Sequence, residues 1–190
     1  MSGQGSLFDD EPARVAGTQG GGRKQDLFFA LMPPQQLAQD IAARIPDLSG
    51  APADPQRLHI TLCDVAEVVG QDLPDKLIRA AKAAAATLAH APLAVRLDQL
   101  QHFTKAVVLV GSGNERVTQF ARLLGRALKQ YGMAPKVGST PHLTLFYTEL
   151  RRHEPRPVEP ILWTATDFVL LVSHVGQSRY DELGRWPLVG

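Results

Sequence analysis

The chain has 190 residues, a formal net charge of +1, 44% hydrophobic and 21% charged residues, and a single cysteine. That length and composition fit one globular domain, or two closely packed lobes, with a sizeable core. The near-zero charge excludes a global field drawing the chain onto nucleic acid or an anionic membrane, and the lone Cys63 excludes an internal disulfide and fits a reducing compartment.

No cationic segment followed by a long apolar one opens the chain, and no apolar run reaches transmembrane length, so the expected location is the cytoplasm, without membrane attachment. Residues 1–25 read as a flexible tail, rich in Gly and polar residues, with GGG at 20–22 as a linker. The folded body is expected from Asp26 to the end. LFFALMP (27–33) reads as a buried strand, and PPQQLAQDIAARI (33–45) has apolar residues at helical spacing behind prolines tolerated at a helix start. A loop is expected over 46–55, a strand over 57–65, an Ala-rich helix over 73–91 and a strand over 93–103.

AVVLVGS (106–112) reads as a buried β-branched strand. A helix follows over 114–132, with Asn114 as N-cap candidate and Gly132 as its stop. TPHLTLFYT (140–148) reads as a strand, the proline-rich RRHEPRPVEP (151–160) as a loop, and TATDFVLLVSHVG (164–176) as a strand, with a short last strand near the end. GSGNER (111–116) lacks a third Gly and a Walker lysine, and so reads as a strand-to-helix turn and not a phosphate loop.

Two segments share a phrase. LHITL (58–62) returns as PHLTLF (141–146), with the histidines 142 − 59 = 83 positions apart in a chain holding six histidines. The elements before each copy rhyme (strand, helix, loop, motif strand), which points to an internal duplication about a pseudo-twofold axis. In a strand, residues i and i+2 share a face. His59 and Thr61 therefore point one way and Ile60 and Leu62 the other; His142 and Thr144 are parted from Leu143 and Leu145 in the same manner. Two polar faces meeting across one groove would bring together two imidazoles and two hydroxyls. That set suits metal-free phosphoryl transfer: one ring takes a proton from water, the other protonates the leaving oxygen, and the threonines donate to non-bridging oxygens. No Cys or acidic cluster completes a metal coordination set, and neither a metal nor a cofactor is expected.

With both motifs in view, the chain resembles the two-histidine phosphoesterase superfamily, and within it the bacterial and archaeal RNA 2′,3′-cyclic phosphodiesterases historically called 2′-5′ RNA ligases. His59-Ile60-Thr61-Leu62 and His142-Leu143-Thr144-Leu145 match the defining pair of motifs. LFFALMP, QHFTKAVVLVG (101–111) and SRYDELGRWPL (178–188) resemble the opening strand, the Phe-led strand and the closing segment, so the resemblance spans about residues 26–188. Two departures stand out. CDVAEVVG follows the first motif where the family often has Phe-Leu-Gly, and Phe146-Tyr147 follows the second where many relatives have Ala-Arg.

The resemblance implies an α+β fold: a bilobal, pseudo-twofold duplicated unit, with two mainly antiparallel sheets lining a central groove and helices outside, in one phosphoesterase domain over 26–190. It implies an RNA 2′,3′-cyclic 3′-phosphodiesterase that opens a terminal cyclic phosphate to a 2′-phosphomonoester. By the same analogy His142 is the base and His59 the acid, and Thr61 and Thr144 bind the phosphate. Expected substrates are RNA 3′ ends or small cyclic nucleotides. The alternatives are a phosphodiesterase or reversible ligase on 2′,5′-linked or cyclic nucleotides, and a catalytically idle RNA-end-binding module; the four intact motif residues argue against the last.

Further candidates lie around the motifs. Phe146 shares the parity of Thr144 and, with Phe103, could stack on a base. Arg57, Lys136, Arg151 and Arg152 could meet RNA phosphates. Cys63 falls on the motif face by parity and is read as a packing residue. Nothing demands an oligomer, and a monomer is expected. In the tail, QGSLF (4–8) resembles short peptides that dock on the bacterial sliding clamp, a candidate partner.

Overall fold

The computed structural model describes residues 23–45, 54–148 and 154–190. The tail peptide at 4–8, Arg151 and Arg152 lie outside the described residues. In chain order the elements are β1 (Lys24–Leu31), α1 (Gln35–Arg44), a short 3-10 helix (Pro55–Arg57), β2 (Ile60–Val69), α2 (Asp75–Ala86), β3 (Leu93–Phe103), β4 (Ala106–Val110), α3 (Glu115–Gln130), β5 (Lys136–Val137), β6 (His142–Tyr147), β7 (Arg156–Ala165), β8 (Asp167–His174) and β9 (Arg179–Pro187). Lys24 and Gln25 already pair with Val69 and Val68, so the sheet begins two residues before Asp26.

The strands hydrogen-bond in the order β7-β3-β4-β6-β2-β1-β8-β9, with β5 also on β2. Every recorded pairing is antiparallel. This is one sheet, where two separate sheets were expected. Among the described residues, its halves, β7-β3-β4-β6 and β2-β1-β8-β9, are joined through β2 and β6 by the one pair Ile60–Leu143. By Cys63, β5 has replaced β6 on that edge of β2. The strand order is symmetric about the junction. β2 answers β6, β1 answers β4, and β3 and β8 cross over, each to pair with the opening strand of the other repeat.

One face of the sheet is closed by the three helices. Phe29, Leu31, Ile60, Leu62, Leu109 and Leu143 contribute to the main core from the strands, and Ile41, Ala84, Phe120 and Leu124 from the helices. The strongly amphipathic α3 folds close to its expected bounds, whereas the Ala-rich α2, expected over 73–91, spans Asp75–Ala86. Gly132 ends α3 at φ +80°, where a side chain would be strained. Asn114 is the N-cap residue, as expected, but its side chain is used differently. It makes no side-chain cap bond; buried, it accepts from the Arg96 backbone N–H and donates to the carbonyls of Arg96 and Gly111, tying the β4–α3 turn to β3.

Among the described residues, the opposite face carries two small apolar clusters: Phe28, Ala30, Val169 and Leu171 in one half, and Ala106, Val108 and Val110 in the other. An antiparallel sheet can leave one face open in this way. The segment 156–160, expected as loop, is the first half of β7. Among the described residues β7 is an edge strand paired with β3, and the register slips between Leu97↔Ile161 and Gln99↔Pro157, the setting in which a sheet tolerates prolines such as Pro157 and Pro160. No described helix is long and apolar enough to cross a membrane.

Candidate active site

The site lies on the open face, at the junction. Ile60 and Leu143 pair with their side chains in the main core. Extending that register one residue each way sets His59 against Thr144 and Thr61 against His142, all four on the face away from the core. Diagonal partners in such a ladder lie about 7–8 Å apart, a spacing that leaves room for a phosphate between the two ring tips. The four residues are all half-buried.

Both histidines are oriented alike. His59 Nδ1 lies 2.7 Å from the Arg57 carbonyl oxygen, and His142 Nδ1 lies 3.0 Å from the Thr140 carbonyl oxygen. A carbonyl only accepts, so each Nδ1 carries the proton that it donates to the residue two places back. Each Nε2 is thereby left to accept a proton when the ring is neutral and to donate one when it is charged. Each ring also has an aromatic backing. Phe28 and Tyr180 stand 5.1 Å and 5.4 Å from His59, and Phe103 stands 5.0 Å from His142.

The electrostatics of the two halves differ. Loss of solvation is the main reason that the His59 pKa falls from 6.5 to about 4; the Arg57 carbonyl opposes the fall, while the charges of His142 and Arg57 add to it.

A β-bulge recurs in both motif strands just past the threonine. In β2 the register slips between Phe29↔Cys63 and Ala30↔Thr61, and in β6 between Val107↔Phe146 and Val108↔Thr144. Leu62 and Cys63 therefore both enter the main core, as does Leu145, and the half-buried Phe146 packs against it. This corrects two expectations: neither Cys63 nor Phe146 is on the groove face. Burial also raises the Cys63 thiol pKa, leaving it unreactive. The next residues return to the open face, Asp64 opposite Phe28 and Tyr147 opposite Ala106. Tyr147, 54% exposed, is thus the groove aromatic on β6.

Of the remaining candidates, Phe103 and Arg57 border the two histidines. Lys136 is exposed on β5, its backbone paired with Asp64. Phe28 and Tyr180 were not singled out from sequence, although Tyr180 begins the closing segment that carried part of the resemblance. Among the described residues, no three His, Cys, Asp or Glu side chains gather as a metal cluster.

The comparisons with known proteins bear on the family and the fold. Residues 33–183 match the family described as the 2′-5′ RNA ligase superfamily. The Escherichia coli LigT structure complexed with 3′-AMP is similar at a TM-score of 0.73 and 23% identity, covering 88% of this chain and 99% of LigT. A crystal structure of a phosphoesterase is similar at 0.70 and 26%, covering 87% of this chain and 99% of the other. A Thermus thermophilus protein is similar at 0.65 and 18%, with coverage of 87% and 98%. Curated proteins give no match. The family match spans most of the chain and includes both motif strands: this protein belongs to the 2′-5′ RNA ligase superfamily of two-histidine phosphoesterases.

Proposed function

We propose that the protein hydrolyses the 2′,3′-cyclic phosphate at the 3′ end of RNA to a 2′-phosphomonoester, by acid–base catalysis between His59 and His142. The observation that carries this reading is the matched orientation of the two rings, each holding its Nδ1 proton on a carbonyl two residues back, on strands whose Ile60–Leu143 register sets both histidines on one face. LigT structures in complex with 3′-AMP, phosphate, ATP and NADP+ support a phosphate-bearing nucleotide as the ligand class.

In this reading the cyclic phosphate lies between the rings. A water oxygen attacks phosphorus in line with the P–O3′ bond, and one histidine Nε2 takes the water's proton. As P–O3′ breaks, the other histidine's Nε2–H gives its proton to O3′. The products are a 2′-phosphate and a free 3′-hydroxyl, and each histidine ends in the protonation state in which the other began. Thr61 and Thr144 donate hydroxyl hydrogens to the non-bridging oxygens, where negative charge grows in the transition state.

The environment of His59 favours it as the base. Its lowered pKa keeps the ring neutral and proton-accepting at pH 7, and His142 then supplies the proton to O3′. This reverses the order implied by the family resemblance. A substrate with sulfur replacing the leaving 3′-oxygen distinguishes the two orders, because a thiolate leaves without a proton. Such a substrate should restore the rate of His142→Ala and leave His59→Ala slow; rescue of His59→Ala instead would reverse the roles. Phosphorus NMR of the product from the natural linkage tests the reaction itself: a 2′-monophosphate is expected, and a 3′-monophosphate would contradict the reading.

A further inference from the structure

The two halves of the site are not equivalent where they meet charge. The carbonyl that orients His142 belongs to Thr140, and the one that orients His59 belongs to Arg57. Arg57 closes the short 3-10 helix before β2, is half-buried, and lies with its guanidinium carbon 5.4 Å from the centroid of the Tyr180 ring. That same Tyr180 ring borders His59. Stacking on Tyr180 fixes the guanidinium plane without using its N–H groups. Arg57 Nε is buried with no hydrogen-bond acceptor, and no carboxylate among the described residues pairs with the side chain. A buried guanidinium nitrogen normally has a partner, because leaving it without one carries a desolvation cost.

Other cations near the motifs fit an anion less well. Lys136 is exposed and lies in register with Asp64, so an opposite charge faces it across the strands. On β6 the residue that returns to the open face after the bulge is Tyr147, which is uncharged at neutral pH. An oriented cation with a buried, unpaired Nε therefore stands on the His59 side of the junction.

We propose that Arg57 is the anion anchor of the groove, its guanidinium binding a non-bridging oxygen of the substrate's phosphate group beside His59. The inference deepens the proposed function and rests on it for the identity of the phosphate. Arg57 would then have two linked effects. It binds the anion, and in the free protein its charge helps to keep the neighbouring imidazole neutral.

The test is calorimetric titration of the full chain with adenosine 2′-monophosphate and with adenosine, for wild type, Arg57→Lys and Arg57→Gln, with thermal unfolding of each as a folding control. Loss of a charge-assisted contact of this kind corresponds to about 10-fold to 100-fold weaker binding. Arg57→Gln should weaken the monophosphate by that factor and leave adenosine unchanged, with Arg57→Lys in between. In turnover, KM should rise by more than kcat falls, and the acid limb of the kcat/KM profile should move to higher pH in Arg57→Gln. Equal monophosphate affinity in wild type and Arg57→Gln would overturn the inference. So would equal losses for monophosphate and adenosine, which would mark a structural role. Cyclic-phosphate turnover by wild type, run in parallel, reports separately on the reading beneath it. Turnover with no Arg57 dependence sinks the anchor alone; Arg57-dependent monophosphate binding without turnover sinks the hydrolase and keeps the anchor.

Discussion

Among the described residues, Ile60 and Leu143 form the single pair that joins β2 to β6. Each stands one residue after a motif histidine and one before a motif threonine. A pair with both side chains in the core necessarily turns the flanking residues to the other face, so one apolar contact aligns all four polar groups. Enlarging or shrinking either member should disturb the site from behind. Leu143→Ala is expected to cost about 2–5 kcal/mol of stability and to lower kcat in the fraction that remains folded. Urea unfolding and turnover of the same preparations check both parts.

His59 makes stability depend on pH. Its folded pKa, about 4, lies below the 6.5 of the unfolded chain. Between those values the unfolded state binds more protons, so stability rises with pH, and it is lost as pH falls from about 6.5 towards about 4. The full effect is on the order of 3 kcal/mol, and His59→Gln should remove most of it. Urea midpoints at pH 7, 5.5 and 4.5 measure the difference. NMR titration of the His59 ring should find a midpoint well below 6.5 in the free protein, moving upward when inorganic phosphate is bound.

The bulges separate two adjacent aromatics by role. Phe146 packs on the main core, whereas Tyr147 lies on the open face. Phe146→Ala should cost about 2 kcal/mol in stability and leave KM close to wild type. Tyr147→Ala should change stability by no more than about 0.5 kcal/mol and act on KM. The opposite pattern would mean that β6 runs without the bulge.

The β4–α3 turn is tied to β3 too closely to admit a side chain. A Cβ placed on Gly111 would lie 1.9 Å from the Arg96 carbonyl oxygen, the same oxygen that accepts from Asn114. Gly111→Ala should therefore destabilise more than Asn114→Ala, whose loss of buried hydrogen bonds is expected to cost about 2–3 kcal/mol. Thermal unfolding of the two variants orders them.

The paired motif and its parity were legible in the sequence, because alternation holds as far as Thr61 and Thr144. Beyond those residues it fails. A bulge is set by the partner strand's register, and nothing in CDV or FYT announces it, so simple alternation puts Cys63 and Phe146 on the wrong face. The strand at 156–160 was hidden by Pro157 and Pro160, which mark a loop unless the strand is known to be an edge. Helix α3 was legible through its periodicity, but the inward use of Asn114 was not, because capping and bridging call for the same side chain. The single-sheet junction was equally invisible: one residue pair between strands 83 positions apart leaves no local trace. Arg57 and Tyr180 lie 123 positions apart (180 − 57), and only the fold puts the guanidinium on the ring beside His59.

The central claim is that two histidines act as a pair on one phosphate. Its most direct test is turnover of a short RNA ending in a 2′,3′-cyclic phosphate, with EDTA present, by wild type, His59→Ala, His142→Ala and the double variant. The account predicts turnover by wild type and a loss of about 100-fold to 10,000-fold in each single variant. The double variant should fall far less than the product of the two losses, because groups that act as a unit are not additive. A single variant that keeps the wild-type rate, or a wild type silenced by EDTA, would contradict it.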